Sequence, residues 1–430
     1  MRRVLALAWL TCLGLWRTRV IWLLLVLLLG MPLILAWVLQ GDGTPVGELR
    51  LWWQYSLGWS SGLLSMAALT MGAAAISLEV ADRNLILLRI KPVATLQVLL
   101  GKWLGLVSVL GCALLLGMIF LWVGLHYHAG RVVGSESRRL LQREFFTVNH
   151  SLQPAPLPAP GGTPEDVSQG VTVAPGATGS WKVTLPTSLR ADEPTLLYFE
   201  FLASVADPAA EFEGLWLFAQ DGGREELRFA STARSGRSSR HELPAGWASP
   251  GSELVMTYQH NSLDHGVSLL FPRAGGVELS VPAGGFAGNL LRAGVMIMAR
   301  LLFLAALGIA AGAAFSFPVA LFAAAAAPVM ELLNRLRADA SLWTVWLFGD
   351  NRDDWTARLL DYLVMSASGL VSLLLPKLAR FDPRGSVTAG QMIAWPVAGE
   401  AVVVCGLYAA ALLGLGAWVL ARRQLGAVDS

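Results

Sequence analysis

Charge is what this sequence has least of. Of its 430 residues, 14% are Asp, Glu, Lys or Arg and 55% are hydrophobic, with a mean hydropathy of +0.55. A soluble globular domain carries about 25% charged residues. The shortage is gathered into several long apolar runs, so the chain reads as an integral membrane protein. A formal net charge of +2 says little about partners, and no nucleic-acid partner is expected. Cysteine is also scarce. Cys12, Cys112 and Cys405 all lie in apolar stretches, where they act as small hydrophobes, with no disulfide framework and no metal site.

Several catalytic signatures are missing. A phosphate-cradling loop needs a glycine five positions before the glycine of its Gly-Lys pair. Before Gly101-Lys102 that position is Leu96, so the chain is not expected to hydrolyse ATP alone. No G-x-S-x-G occurs, which removes the hydrolase nucleophile elbow. The six histidines are His126, His128, His150, His241, His260 and His265, and the reading puts all of them outside the apolar runs. His126 with His128, or His260 with His265, could hold a metal. Their spacing matches no zinc pattern and no cysteine accompanies them, so ordinary surface or strand-end histidines are the simpler reading. No bound cofactor is expected.

What is present is a set of apolar runs near the ~20 residues that a helix needs to cross a ~30 Å hydrocarbon core. They are 20–39, 57–78, 103–125, 290–314, 318–333 and 393–420. Arg2, Arg3, Arg17 and Arg19 precede the first run, and Arg422 and Arg423 follow the last. The positive-inside rule puts both termini in the cytoplasm. The N-terminal stretch resembles a signal peptide in its Arg2-Arg3 start but lacks a small-residue cleavage pattern. It is expected to be a retained amphipathic helix on the inner leaflet. Several of the 17 Trp fall near run ends, including Trp52, Trp53, Trp103, Trp122, Trp395 and Trp418, as an interfacial belt requires. The second run is rich in Gly, Ala and Ser, which let helix backbones approach closely.

Between the second and third runs lies a polar elbow, residues 79–102, with Glu79, Asp82, Arg83, Arg89, Lys91, Pro92, Gly101 and Lys102. Its basic residues place it inside. Residues 127–288 carry no spanning run. A Pro/Gly-rich stretch at 151–170 leads into short alternating segments separated by turn residues. About seven or eight strands are expected, forming an all-β sandwich on the extracytoplasmic side. Its aromatics (Trp181, Tyr198, Trp216, Trp247, Tyr258) read as sandwich core, with a ligand groove as the alternative. Residues 289–430 hold runs four to six. Within them, 334–391 is mixed in character, and 357–378 is read as a re-entrant or interfacial helix on the outer side. The fold class is thus a multi-pass α-helical membrane protein of about six transmembrane helices with an inserted extracytoplasmic β-sandwich. At membrane depth, Arg300 and Glu400 stand out, because ionisable groups there are functional by default. Pairing with each other is the structural alternative. The spans offer no catalytic pair for an intramembrane enzyme.

The elbow residues Glu79, Asp82, Arg83, the LILLRI run, Pro92-Val93 and Gly101-Lys102-Trp103 resemble the pattern after the second span of ABC-2-type permeases, including those of the NosY kind. Ser316, Pro318, Val319 and Ala320 look like that family's turn between spans four and five. Arg422, Arg423, Gln424 and Leu425 look like its closing motif, although Gln424 stands where an acid is common. The likeness covers the spans and leaves out the inserted β domain. It implies a transport subunit of a bacterial inner membrane that pairs with a second permease copy and with a separate ABC ATPase. The elbow would seat in a cleft on that ATPase. Arg83, Arg89 and Lys91 would contact it, unless they serve only topology and lipid headgroups. The alternative is a membrane-anchored binding or assembly protein whose β domain carries the function.

Overall fold

The computed structural model describes residues 2–39, 45–82, 94–131, 145–158, 170–187, 195–204, 210–220, 224–237, 239–247, 249–261, 266–273, 275–338, 378–388 and 390–422. The chain forms two compact units. One holds residues 1–141, 290–389 and 393–430, and the other holds 142–289 and 390–392.

The helical unit consists of α1 (Arg2–Arg17), α2 (Arg19–Val38), α3 (Pro45–Ala81), α4 (Thr95–Gly130), α5 (Phe286–Ala314), α6 (Phe317–Ala338), a 3-10 turn (Leu378–Phe381), the short α7 (Arg384–Thr388) and α8 (Trp395–Arg422). Among the described residues, five helices are long and apolar enough to cross a membrane: α2, α3, α4, α5 and α8. Six were expected, and the remaining run, 318–333, falls in α6, where the described apolar stretch is Phe317–Val329. The expected helix at 357–378 falls, up to residue 377, outside the described residues. α3 and α4 extend well past the apolar runs that predicted them, because Trp52, Trp53, His126 and His128 continue the helices.

Small residues set how closely these helices approach. On α5, a Cβ on Gly308 would lie 2.6 Å from Leu69 O of α3, and one on Gly312 would lie 2.5 Å from Ala73 O. On α3, a Cβ on Gly72 would lie 2.8 Å from Ala305 O. Three buried serines of α3 cost little, since Ser60, Ser65 and Ser77 donate to Ser56 O, Ser61 O and Ala73 O one turn back. Pro32 lies inside α2, where its ring removes the donor to Leu28 O. The carbonyls beside that gap are held from α3: Trp59 Nε1 donates to Leu27 O at 3.1 Å, and Trp52 Nε1 donates to Pro32 O at 2.9 Å.

Many large apolar side chains point outward. Trp22, Leu23, Val26, Leu33 and Trp37 of α2 are exposed, as are Leu115, Ile119 and Val123 of α4 and Val403, Leu407 and Leu415 of α8. An apolar surface this extensive is foreign to a water-soluble monomer and marks the lipid-facing side of a membrane protein.

Among the described residues the β unit holds twelve strands, more than the seven or eight expected. They are β1 (Thr147–Leu152), β2 (Ala155–Leu157), β3 (Gly170–Val173), β4 (Thr178–Thr184), β5 (Thr195–Phe199), β6 (Leu202–Ala203), β7 (Glu211–Gln220), β8 (Arg224–Arg234), β9 (Ser239–Leu243), β10 (Glu253–His260), β11 (Leu269–Pro272) and β12 (Val277–Gly285). The surplus comes from short edge pieces such as β2 and β6, too brief to show alternation. The strands form antiparallel sheets in the orders β1-β12-β5-β9, β2-β4-β10-β7-β8 and β3-β11-β6. β7 and β10 alternate strictly between buried and less buried positions, the period-2 signature of a strand with one face on a core. That core gathers Trp181, Phe199, Phe201, Phe212, Trp216, Phe218, Tyr258 and Phe271. Trp247 packs at its margin and Tyr198 is half-buried. The β unit starts later than residue 127, and it recruits Gly390–Met392. Asn149 N donates to Gly390 O and Met392 N to Asn149 O, each at 2.8 Å. Those three residues lie at the edge of the stretch read as the outer interfacial segment.

Candidate functional site

The elbow joins the two longest helices. α3 ends at Ala81, and Asp82 N still donates to Leu78 O at 2.8 Å. α4 begins after Ala94, which is extended at φ −66°, ψ 139°. Arg83, Arg89, Lys91 and Pro92 lie outside the described residues. Glu79, Asp82, Gly101 and Lys102 lie inside them.

Lys102 is the organising residue. Its side chain is buried, yet it forms an ion pair with Glu79 and donates from Nζ to Ala75 O at 2.6 Å. Ala75 and Glu79 are four apart on α3 and so share a face. One ammonium thereby ties the base of α4 to the last two turns of α3. A cation this deeply placed needs such partners, since an unpaired buried charge is costly. Asp82 is exposed at the tip. Trp103 Nε1 donates to Leu302 O of α5 at 3.0 Å, which ties the same turn of α4 to a third helix.

Gly101 is half of a Gly-x-x-x-Gly pair with Gly105, and this pair is the seat of α1. A Cβ on Gly101 would lie 2.5 Å from Leu7 Cβ, and one on Gly105 would lie 2.5 Å from Ala8 O. The elbow's glycine is thus a contact surface for the N-terminal helix. Close by, Ile76, Val98, Leu99, Ala306, Ile309, Ala409 and Leu413 form one buried cluster with Leu7 and Trp103 against it. At this level α1, α3, α4, α5 and α8 meet.

The two ionisable residues singled out at membrane depth lie on α5 and α8. Arg300 is half-buried in α5. Glu400 accepts from Arg380 Nη2 of the 3-10 turn at 3.0 Å. Glu400 sits in the second turn of α8, nearer the helix end than its apolar surroundings implied. Beside it, the guanidinium of Arg292 lies 5.3 Å from the ring centre of Trp395.

The histidines divide between the two units. His126 and His128 lie in the last turns of α4, not in the insertion. His126 Nδ1 faces Trp122 O at 3.0 Å, and His128 packs on Trp52 at 5.0 Å between ring centres. His260 is fully buried in the β core with Nε2 3.0 Å from Val267 O. His265 lies outside the described residues. In the β unit, burial pushes the Tyr258 hydroxyl well above its ordinary pKa and holds His241 below the usual histidine value. Both groups stay neutral near pH 7.

Sequence reading missed the cluster at the opposite end of the helical unit. There Arg384 grips Asp382 through Nε and Nη2, at 2.9 and 2.6 Å. The Asp-Pro-Arg triplet was the only local signal. No protein-family model matches this chain, and no curated protein matches it.

Proposed function

We infer that the chain is the membrane-spanning permease subunit of an ABC-2-type transporter, driven by ATP hydrolysed on a separate chain. The observation that supports the reading is the closed base beneath the elbow. Glu79 and Lys102 bind α3 to α4, and Gly101 and Gly105 seat α1 on α4. Force applied to residues 83–93 therefore moves three helices together. A passive anchor has no use for that linkage. In this proposal the partners are an ABC ATPase at the elbow and a second permease copy along the exposed apolar faces. The membrane is the bacterial inner membrane, with both termini cytoplasmic and the β unit as an extracytoplasmic sandwich. A sixth crossing would run through α6, whose 22 residues reach ~33 Å at 1.5 Å per residue.

The rival reading, an anchored binding or assembly protein, is favoured by one observation: the β unit has a complete aromatic core of its own. Co-purification with the ABC ATPase of the same organism separates the two. The permease reading expects a stable complex that is lost in Arg83→Glu and Pro92→Gly. A complex that both variants leave intact overturns the elbow as the docking element.

A further inference from the structure

At the end of the helical unit opposite the elbow lies a cavity of about 840 Å³. Met31 and Leu35 of α2, Arg50, Gln54, Tyr55, Gly58 and Trp59 of α3, and Asp382, Arg384, Gly385 and Thr388 line it. We propose that this cavity is a binding site for an anionic phospholipid, with the phosphodiester held between Arg50 and Arg384 and the chains leaving over Trp59.

The depth of the cavity follows from packing. A Cβ on Gly124 of α4 would lie 2.9 Å from Trp52, two residues from Arg50. Lys102 and Trp122 on α4 are separated by about 20 residues, or ~30 Å of helix, which matches a hydrocarbon core. Arg50 therefore lies beyond the far edge of that core, at headgroup depth. Tyr55 and Trp59 lie just inside it, and both are exposed, so the cavity is open to the lipid-facing surface. Trp59 is held as its floor by its bond to Leu27 O.

Charge selects the ligand. Among the described residues the lining carries two guanidiniums and one carboxylate, which leaves one positive charge over among them. Asp382 takes Nε and Nη2 of Arg384. Nη1 lies 3.8 Å from the place of a Cβ on Gly58, so the absence of a side chain at 58 leaves room for the guanidinium. Arg50 is exposed and has no ion-pair partner among the described residues. A planar donor fork of this kind suits a phosphate oxygen pair. A headgroup with one net negative charge balances the site, whereas a zwitterionic one brings its own cation against Arg50. The volume is within the ~300–1,000 Å³ of small-molecule sites, enough for a headgroup, its glycerol and the first chain carbons. The site is independent of the elbow and of the transport reading.

The test uses the full chain purified in detergent, with bound lipid counted by native mass spectrometry. Phosphatidylglycerol is titrated against phosphatidylcholine of the same chains. The expected result is one tightly held phosphatidylglycerol, preferred at least tenfold. Arg50→Gln, a surface change, should cut that preference severalfold. Gly58→Leu, which fills the cavity without changing charge, should abolish retention while the protein stays monodisperse. Water-soluble glycerophosphoglycerol should not displace the lipid. Equal retention of both lipids by the native chain overturns the proposal, as does retention unchanged in both variants. Displacement by the soluble headgroup also overturns it, because the site would then be one for free phosphate esters.

Discussion

In the middle of the helical unit, Gly308 and Gly312 of α5 lie against the backbone of Leu69 and Ala73. In the middle of the β unit, Trp216 lies among Phe199, Tyr258 and Trp181, with ring centres 5.0 to 5.7 Å apart. One unit closes its backbone contacts with its smallest residues and exposes many of its Leu, Val and Trp. The other buries its largest. The difference reflects the solvent each was built for. Water drives large apolar surface inward, by about 25 cal/mol per Å². Lipid chains offer no such drive, so helices associate where backbones can come closest.

The largest expected effect lies in the β unit. Trp216→Ala removes a fully buried ring and should cost about 3–5 kcal/mol. Hydrogen exchange on the whole protein should show protection lost across β4, β7 and β10 and kept in α3–α5. Loss in the helices as well would mean that the two cores are not independent.

The helical unit should respond to the opposite change. Gly308→Leu drives a side chain into the backbone of α3 and should cost about 1–3 kcal/mol or more, read as a lower aggregation temperature in nanodiscs. Gly62→Leu is the control. Nothing lies within 4 Å of a Cβ there, so the change should be neutral or gain up to about 1 kcal/mol of helix propensity. Equal damage at 62 and 308 would break the comparison.

The smallest effect concerns pH. His241 packs between Phe199, stacked at 5.9 Å, and Phe229, at 4.5 Å, and burial lowers its pKa. The unfolded chain then binds the proton more readily than the folded one, so stability rises with pH. β-unit protection should weaken as pH falls through about 6.5, the ordinary histidine value, and level off below the depressed folded value. His241→Gln should flatten that step. A step unchanged in the variant would assign it elsewhere.

Much of the fold was readable from local pattern. The long runs announced α2–α5 and α8, and alternation in ELVMTYQH and EFEGLWLFAQ announced β10 and β7. Helix ends were harder, because tryptophan and histidine at the lipid boundary lower hydropathy without ending a helix. The elbow was found as a polar gap, and Gly101 was weighed there as a piece of a nucleotide loop. Its seat for α1 was invisible, since the partner surface is some ninety residues away in sequence.

By itself the sequence determined that the chain enters a membrane, that its middle third is β, and where its polar interruptions fall. These follow from composition and from periods of 3.6 and 2, which are local properties. Only the tertiary structure decided that Lys102 is paired to Glu79, that Glu400 belongs to Arg380, that Gly390–Met392 joins the β unit, and that Arg50 shares a cavity with Arg384. Each of these is a meeting of residues distant along the chain. Which ones meet depends on how closely the backbones between them can pack.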